Sequence, residues 1–561
     1  VTDSPFGRRL PGLWRDAVCA LAVIAMVAHN HYNVRATRDV GADDEAWYVA
    51  GGALLGKPGF PEGANGWPIP ELGALHCLSY FALSKVFPHP LELYYASWQL
   101  RTTLLALAAY VLVRRAERPW WQALAVSFTF VNSAIADVWP FPVHTAALVL
   151  LLGLVAATFT RTTTASLCVV TIALAFAGFC RPELLYAYGV AVAAFVAYVA
   201  REAARGPGAR GRRWGEALLW SAAVIVPGAL LARWLGNPLG GTRSFYAFAQ
   251  HYTLELFEAE KNPLNPWASW GPVVARDFPG ATTVSQAMRA NPSAFLAHLG
   301  RNVSKLPANT VLAVIPLLDV STNVARALLA LGAGAALVQA ARLLRDGSRH
   351  RAVSTALFAF ACALVPFVLA ILIVHPRLHY FVVVVAVGMT LVGSYPLPAL
   401  RWRPPIAPSP RARVAGVIAA CLLAVSLTAT KSEAATLVEW LTHSPTKRGL
   451  FGHRQRASAR LRALNLEGRV VALEYAWGTC FYAGYDCESY LRWDKPTALG
   501  RFLAERRVDV VIVDDEMLRD VRFVDDPDVP DFLAHPDKYG FEVERVEGTD
   551  VRIAVRAGRR R

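Results

Sequence analysis

Apolar residues in this chain fall in repeated runs of about 17–23, the length that crosses the hydrocarbon core of a bilayer. No ordinary water-soluble fold uses so many runs of that length. The composition agrees: of 561 residues, 55% are hydrophobic and 18% charged, where a soluble chain carries roughly 25% charged residues. The net charge of +15 is not a nucleic-acid signature, because the arginines sit in short loops between apolar runs. That distribution is the positive-inside bias of a polytopic membrane protein.

The runs predict eleven spans, over 15–33, 92–113, 121–137, 142–160, 164–180, 182–200, 217–235, 320–341, 352–374, 380–398 and 413–430. The first run follows Arg8, Arg9 and Arg15 and is continued by His29-Asn30-His31-Tyr32. With no small-residue cleavage site after it, it reads as a retained signal anchor. An N-terminus in the cytoplasm then places the Arg114–Arg118, Arg201–Arg213, Arg342–Arg351 and Arg401–Arg413 clusters on the cytoplasmic side. Arginine outnumbers lysine and the chain begins with Val1, as in a GC-rich bacterial frame read from an alternative start codon. The expected location is therefore the bacterial cytoplasmic membrane. Long segments at about 34–91 and 236–319, and everything after 430, fall outside it. Two apolar stretches, 71–87 and 309–318, break the charge rule as full spans and are expected as interfacial helices.

Residues 431–561 are charged and lack any spanning run. Arg469–Tyr475 and Val508–Asp514 read as buried strands, Pro496–Arg507 as a helix between them, and Lys538–Val555 as a further strand pair. The chain thus divides into a membrane domain over 1–430 and a small extracytoplasmic α/β domain over 431–561. Cys480 and Cys487 are close enough in sequence to pair in an oxidising compartment, or to remain two thiols.

Just past the first span, Arg38–Tyr48 gathers the carboxylates Asp39, Asp43, Asp44 and Glu45. Carboxylates crowded at the mouth of a membrane protein repel one another unless a cation or substrate relieves them. Trp47, Ala50, Gly51, Leu54 and Leu55 follow at helical spacing, so Asp43 or Asp44 is placed to cap a helix. Capping accounts for one of the four. A general base for an acceptor hydroxyl accounts for a second.

These residues resemble the C-type glycosyltransferases, closest to the protein O-mannosyltransferase and aminoarabinose transferase branches. Asp44-Glu45-Ala46-Trp47-Tyr48 lines up with their Asp-Glu-x-x-Tyr pattern after the first span, and Trp67-Pro68-Ile69-Pro70 through Phe87 with their proline-led amphipathic segment. The match covers about the first 200 residues in motifs and the later chain in layout. The resemblance implies a polytopic enzyme that displaces polyprenyl phosphate from a lipid-linked sugar with inversion. It makes Asp44 the base, Glu45 and Asp43 its acidic neighbours, and Asp137 a second acidic site residue, although Ala136–Pro140 is not a close match. The family's basic residue before the proline is replaced by Trp67, so no phosphate-binding lysine transfers there.

Other cations stand in for it. Arg181-Pro182-Glu183 interrupts nearly forty apolar residues at an outward point, and His375-Pro376-Arg377-Leu378-His379-Tyr380 forms a second outward polar knot. Arg181, Arg377, His379 and Tyr380 are the candidates for donor phosphate and sugar, since a guanidinium matches phosphate oxygens bidentately. The structural alternatives are an Arg181–Glu183 pair and interfacial anchoring by His379 and Tyr380. Arg101, inside the second span, is expected to pair in the core. The histidines show no ligand-spaced cluster. No cofactor is implied, the lipid-phosphate sugar being a substrate; a divalent metal stays open. The partners expected are a polyprenyl-phosphate sugar and a lipid, glycan or protein acceptor, with no nucleic acid. Two other classes fit the same chain: a transporter or flippase, and a non-catalytic scaffold on the same fold.

Overall fold

A computed structural model describes residues 13–559 apart from 42–43, 56–68, 134–140, 206–209, 240–242, 263–265, 315–350, 395–408, 431–452, 476, 492–494 and 496. The chain is a polytopic helical membrane protein with a small terminal sheet domain. Among the described residues seven helices are long and apolar enough to cross a membrane. They are Leu13–Asn30, Pro90–Arg115, Thr163–Cys180, Leu184–Arg205, Gly211–Leu235, Val353–Ile373 and Pro410–Leu427, and each overlaps an expected span. Three further spans correspond to shorter apolar helices, Trp120–Val131, Pro142–Ala157 and His379–Gly393. The expected span at 320–341 and the domain boundary at 431 lie outside the described residues.

The basic turn Arg114–Arg118 ties several helix ends together. Arg114 donates from Nε to Asp16 at 2.6 Å, tying the second spanning helix to the start of the first. Arg115 reaches the Thr158 carbonyl at 3.1 Å and Arg118 the Ser394 carbonyl at 2.8 Å. At the other end of the first helix Asn30 donates to the carbonyl of Ala429 at 2.8 Å, and the amide of Ala429 donates to Asn132 at 3.1 Å.

Two expectations are corrected. Residues 309–314 are not a separate interfacial helix but the end of the Pro292–Val314 helix; residues 315–318 lie outside the described residues. Nor does the 71–87 stretch rest on the bilayer surface alone. It forms the Ile69–Ser84 helix, kinked at Gly73, and buries Ala74, His76, Cys77 and Tyr80. That helix packs against the Asp44–Ala53 and Thr163–Cys180 helices. Small residues permit the approach: a Cβ at Gly52 would lie 2.3 Å from the Cys77 carbonyl oxygen and 2.4 Å from the Tyr80 Cβ. Composition showed the apolar run, while the close crossing depends on residues some 30 positions apart.

The terminal domain holds a five-stranded sheet in the order β2-β1-β3-β5-β4. The strands are β1 (Val470–Glu474), β2 (Cys487–Leu491), β3 (Val510–Val513), β4 (Phe541–Arg545) and β5 (Arg552–Arg556). The first three are parallel, while β5 runs antiparallel to both β3 and β4. Every residue of β3 is buried, as expected of a central strand covered on both faces. The Leu499–Glu505 helix precedes β3 as expected, and Cys480 and Cys487 are disulfide-bonded.

At the end of β1, Glu474 is buried and accepts from the amides of Thr479 at 2.7 Å and Cys480 at 3.3 Å, with the Ser489 hydroxyl donating at 2.7 Å. Burial outweighs these donors and pushes its pKa up to about 7, against about 4.5 for the free side chain. Between those values the folded domain holds a proton that the unfolded chain releases, so the stability present below 4.5 is lost as pH rises towards 7. The shift corresponds to about 3 kcal/mol. Glu474→Gln keeps an acceptor for Thr479 and gives Ser489 a donor, and it is expected to remove this slope. Thermal unfolding of the full chain in detergent from pH 4.5 to 8 checks it. A variant whose terminal domain loses stability with pH as steeply as the parent contradicts the assignment.

Candidate functional site

The Asp44–Ala53 helix starts at the acidic run, with Asp44 and Glu45 in its first turn. Carboxylates there complement the exposed N–H groups of a helix start. The two point to different surroundings. Asp44 has a half-exposed side chain and lies 3.5 Å from Arg243 Nη2. Glu45 is buried at 9% exposure, with the hydroxyls of Tyr94 and Tyr482 in its field.

Arg243 opens the Arg243–Glu260 helix and was not singled out in the sequence. Its Nη2 also donates to the hydroxyl of Tyr48 at 2.7 Å, so one guanidinium bridges two residues of the acidic motif, one turn apart. Burial opposes its charge, but Tyr48 and Asp44 outweigh burial and hold its pKa above the ordinary arginine range. Burial pushes Tyr48 up, with Arg243 and Arg181 opposing and Asp44 adding. Tyr48 is thus a neutral phenol within electrostatic reach of both arginines.

Arg181 caps the Thr163–Cys180 helix. Its Nε lies 2.9 Å from Glu183 and its guanidinium 4.9 Å over the ring of Tyr380. The internal pair weighed from sequence is therefore present, on a side chain that also reaches the second outward knot. Arg377 lies 4.8 Å over the ring of Trp267. His379 stacks on Phe141 with ring centroids 4.1 Å apart, which makes it packing as well as lining. Arg181, Tyr380, Tyr48, Arg243 and Asp44 are thus linked contact by contact or through Tyr48's field, with Arg377 and His379 flanking. Asp43 and Asp137 lie outside the described residues.

Asp39 does not join this group. Its carboxylate accepts from the amides of Arg454 and Gln455, both at 3.0 Å, at the start of the His453–Ala463 helix. It supplies from the membrane domain the cap that this helix needs. A helix end thus takes up one carboxylate of the acidic run.

A second buried carboxylate, Glu255, lies farther along the Arg243–Glu260 helix. It is 2.7 Å from Lys305 Nζ and 2.6 Å from His375 Nδ1. Burial pushes its pKa up, but His375 and Lys305 outweigh burial and hold it at about 2. This ionised group anchors the His375–Tyr380 knot against the outer helices. Arg101 donates to Ser79 at 2.7 Å and lies 4.3 Å over the Tyr80 ring, a pairing within the core. Among the described residues no group of three or more His, Cys, Asp or Glu is placed to hold a metal ion.

No protein-family model matches the chain, and no curated protein matches it. Among solved structures it is similar to the archaeal oligosaccharyltransferase AglB from Archaeoglobus fulgidus, in complex with an inhibitory peptide and a dolichol-phosphate. Identity is 13% and the TM-score 0.43, over 90% of this chain and 70% of that one.

Proposed function

We propose that this chain is an inverting membrane glycosyltransferase that moves a sugar from a polyprenyl-phosphate carrier to an acceptor on the outer face of the bacterial cytoplasmic membrane. The observation that carries the reading is the accessible carboxylate of Asp44 held 3.5 Å from Arg243, whose guanidinium also engages Tyr48. A base open to an acceptor thus stands beside a cation suited to phosphate.

The reaction needs little else. The acceptor hydroxyl gives its proton to Asp44 as its oxygen attacks the anomeric carbon from the face opposite the carrier. The bond from that carbon to the phosphate oxygen breaks, and its electron pair leaves with the lipid phosphate. A single displacement inverts the centre. Negative charge grows on the phosphate, where preorganised guanidinium groups are worth most. Arg243, Arg181 and Arg377 are the cations assigned to it. Two carboxylates, Asp44 and Glu183, answer the first two, while Arg377 rests on Trp267. Tyr380 and His379 line the donor side, and Glu45 supports the turn that carries Asp44. Asp43 and Asp137, outside the described residues, are assigned as further acidic site residues from the family resemblance alone. The base supplies a factor of about 10²–10⁴, and the sugar need only be held in line with the acceptor. The lipid-phosphate sugar is itself the substrate, and no cofactor is assigned.

A transporter reading needs charge at the bilayer midplane. Arg101, a charged group inside a spanning helix, is taken up by Ser79 and Tyr80. The test is transfer from radiolabelled polyprenyl-phosphate sugars in membranes containing this chain and its native acceptors. Label is expected to pass to the acceptor while polyprenyl phosphate accumulates mole for mole. Label that only crosses the bilayer would establish a flippase instead, and binding without turnover a scaffold.

A further inference from the structure

The terminal domain grips the acidic motif at four points along residues 39–47. Asp39 caps the His453–Ala463 helix through the amides of Arg454 and Gln455. The carbonyl of Gly41 accepts from the buried hydroxyl of Tyr482 at 3.0 Å. Gly478 abuts Ala46: a Cβ at 478 would lie 2.9 Å from the Ala46 Cβ, and its φ of +134° already favours glycine. Trp477 stacks on Trp47 with centroids 4.4 Å apart and planes 18° from parallel. Both indoles are nearly buried, at 4% and 6% exposure.

The gripping segment has a particular origin in the sheet. β1 is flanked by β2 and β3, both parallel to it. In open parallel sheets the crevice beyond the carboxyl ends of such strands, where the strand order reverses, is the usual ligand site. Here the chain leaves β1 at Glu474 and runs directly into Trp477, Gly478 and the Thr479–Ala483 helix. On this side of the sheet, the segment that follows β1 meets the membrane domain's own acidic helix. Cys480 and Cys487 are bonded across this helix and β2, fixing Phe481 and Tyr482 to the sheet.

We propose that the terminal domain is a positioning element of the site: Trp477, Gly478 and Tyr482 hold Gly41, Ala46 and Trp47 so that Asp44 faces Arg243. The proposal rests on the reading of Asp44 as the base. Arg181 and Arg377 sit in turns elsewhere in the membrane domain, so loosening the grip displaces the base and leaves most of the donor site in place. The signature is a fall in kcat at nearly constant donor KM.

The experiment compares Trp477→Ala, Trp477→Phe and Tyr482→Phe in the full chain, reconstituted in bilayers. It reads steady-state transfer together with amide hydrogen exchange over 44–53 and over β1 and β3. Trp477→Ala is expected to speed exchange over 44–53 about tenfold and lower kcat about tenfold, with donor KM within about twofold. Trp477→Phe, which keeps a stacking ring, is expected to restore most of both. Exchange and kcat like the parent's in Trp477→Ala, or no rescue by phenylalanine, would overturn the proposal. Should Trp477→Ala also loosen the sheet, Tyr482→Phe decides, because it removes one hydroxyl. It is expected to speed exchange over 44–53 about threefold, and parental exchange there overturns the proposal. If the parent transfers no sugar from any carrier, the functional reading fails by itself and the exchange data alone judge the grip.

Discussion

Asp44→Asn is expected to lower the transfer rate about a thousandfold while leaving the protein folded and able to bind polyprenyl phosphate. Asparagine has nearly the volume of aspartate and can still accept a hydrogen bond from Arg243. What it cannot do is take a proton from an attacking hydroxyl. The loss should therefore appear in kcat, with donor binding altered only as far as Arg243 has lost its charged partner. The half-exposed side chain keeps the structural cost low, since no core packing changes. Transfer assays beside donor binding on the same membranes measure both terms. Retention of more than about a tenth of the parental rate would move the base elsewhere, with Asp43, Glu45 and Asp137 next in line.

Arg243→Ala is expected to cost about 10²–10³ in kcat/KM, or about 3–4 kcal/mol of transition-state stabilisation. Truncation removes the cation assigned to the leaving phosphate. It also leaves the Tyr48 hydroxyl without the 2.7 Å donor and Asp44 without its 3.5 Å partner. Arg243→Lys should recover only part of the loss, because an ammonium is a point charge and cannot span two acceptors as a planar fork does. Tyr48→Phe keeps the ring and removes one acceptor, so it should fall between the parent and Arg243→Lys. Equal kinetics for the parent and Arg243→Ala would exclude this arginine from the site and return the phosphate to Arg181 and Arg377. Measuring all three against donor concentration separates a binding loss from a loss in the chemical step.

Much of the scaffold was legible because its signals are local. Long apolar runs placed most of the helices, and the contacts of Arg114, Arg115 and Arg118 with Asp16, Thr158 and Ser394 tie one arginine-rich turn to three other helix ends. Buried aliphatic runs placed β1 and β3. β2 escaped notice because Cys487-Glu488-Ser489-Tyr490-Leu491 has no aliphatic run and sits at the sheet edge. At the site, Asp44, Arg181 and Arg377 stand out as charges beside apolar runs. Arg243 does not, since it lies in a long polar loop where charge needs no explanation. Its importance comes from a contact across 195 residues. Trp477 is a similar case, an ordinary loop residue until the terminal domain is docked on the acidic helix. Asp39 stood out as a carboxylate, but its capping role depends on a helix more than 400 residues away.

The disulfide between Cys480 and Cys487 bears on when such a protein becomes active. The Asp39 carboxylate and its partner amides are separated by more than 400 residues, and most of the spanning helices lie between them. The acidic segment is made long before its partner, so the contacts of Asp39, Gly41, Ala46 and Trp47 with the terminal domain can form only once the last part of the chain has been synthesised and Cys480 and Cys487 have joined. On the function proposed above, a chain still lacking that domain would carry the assigned arginines without a fixed Asp44, and activity would arrive only with the completed fold.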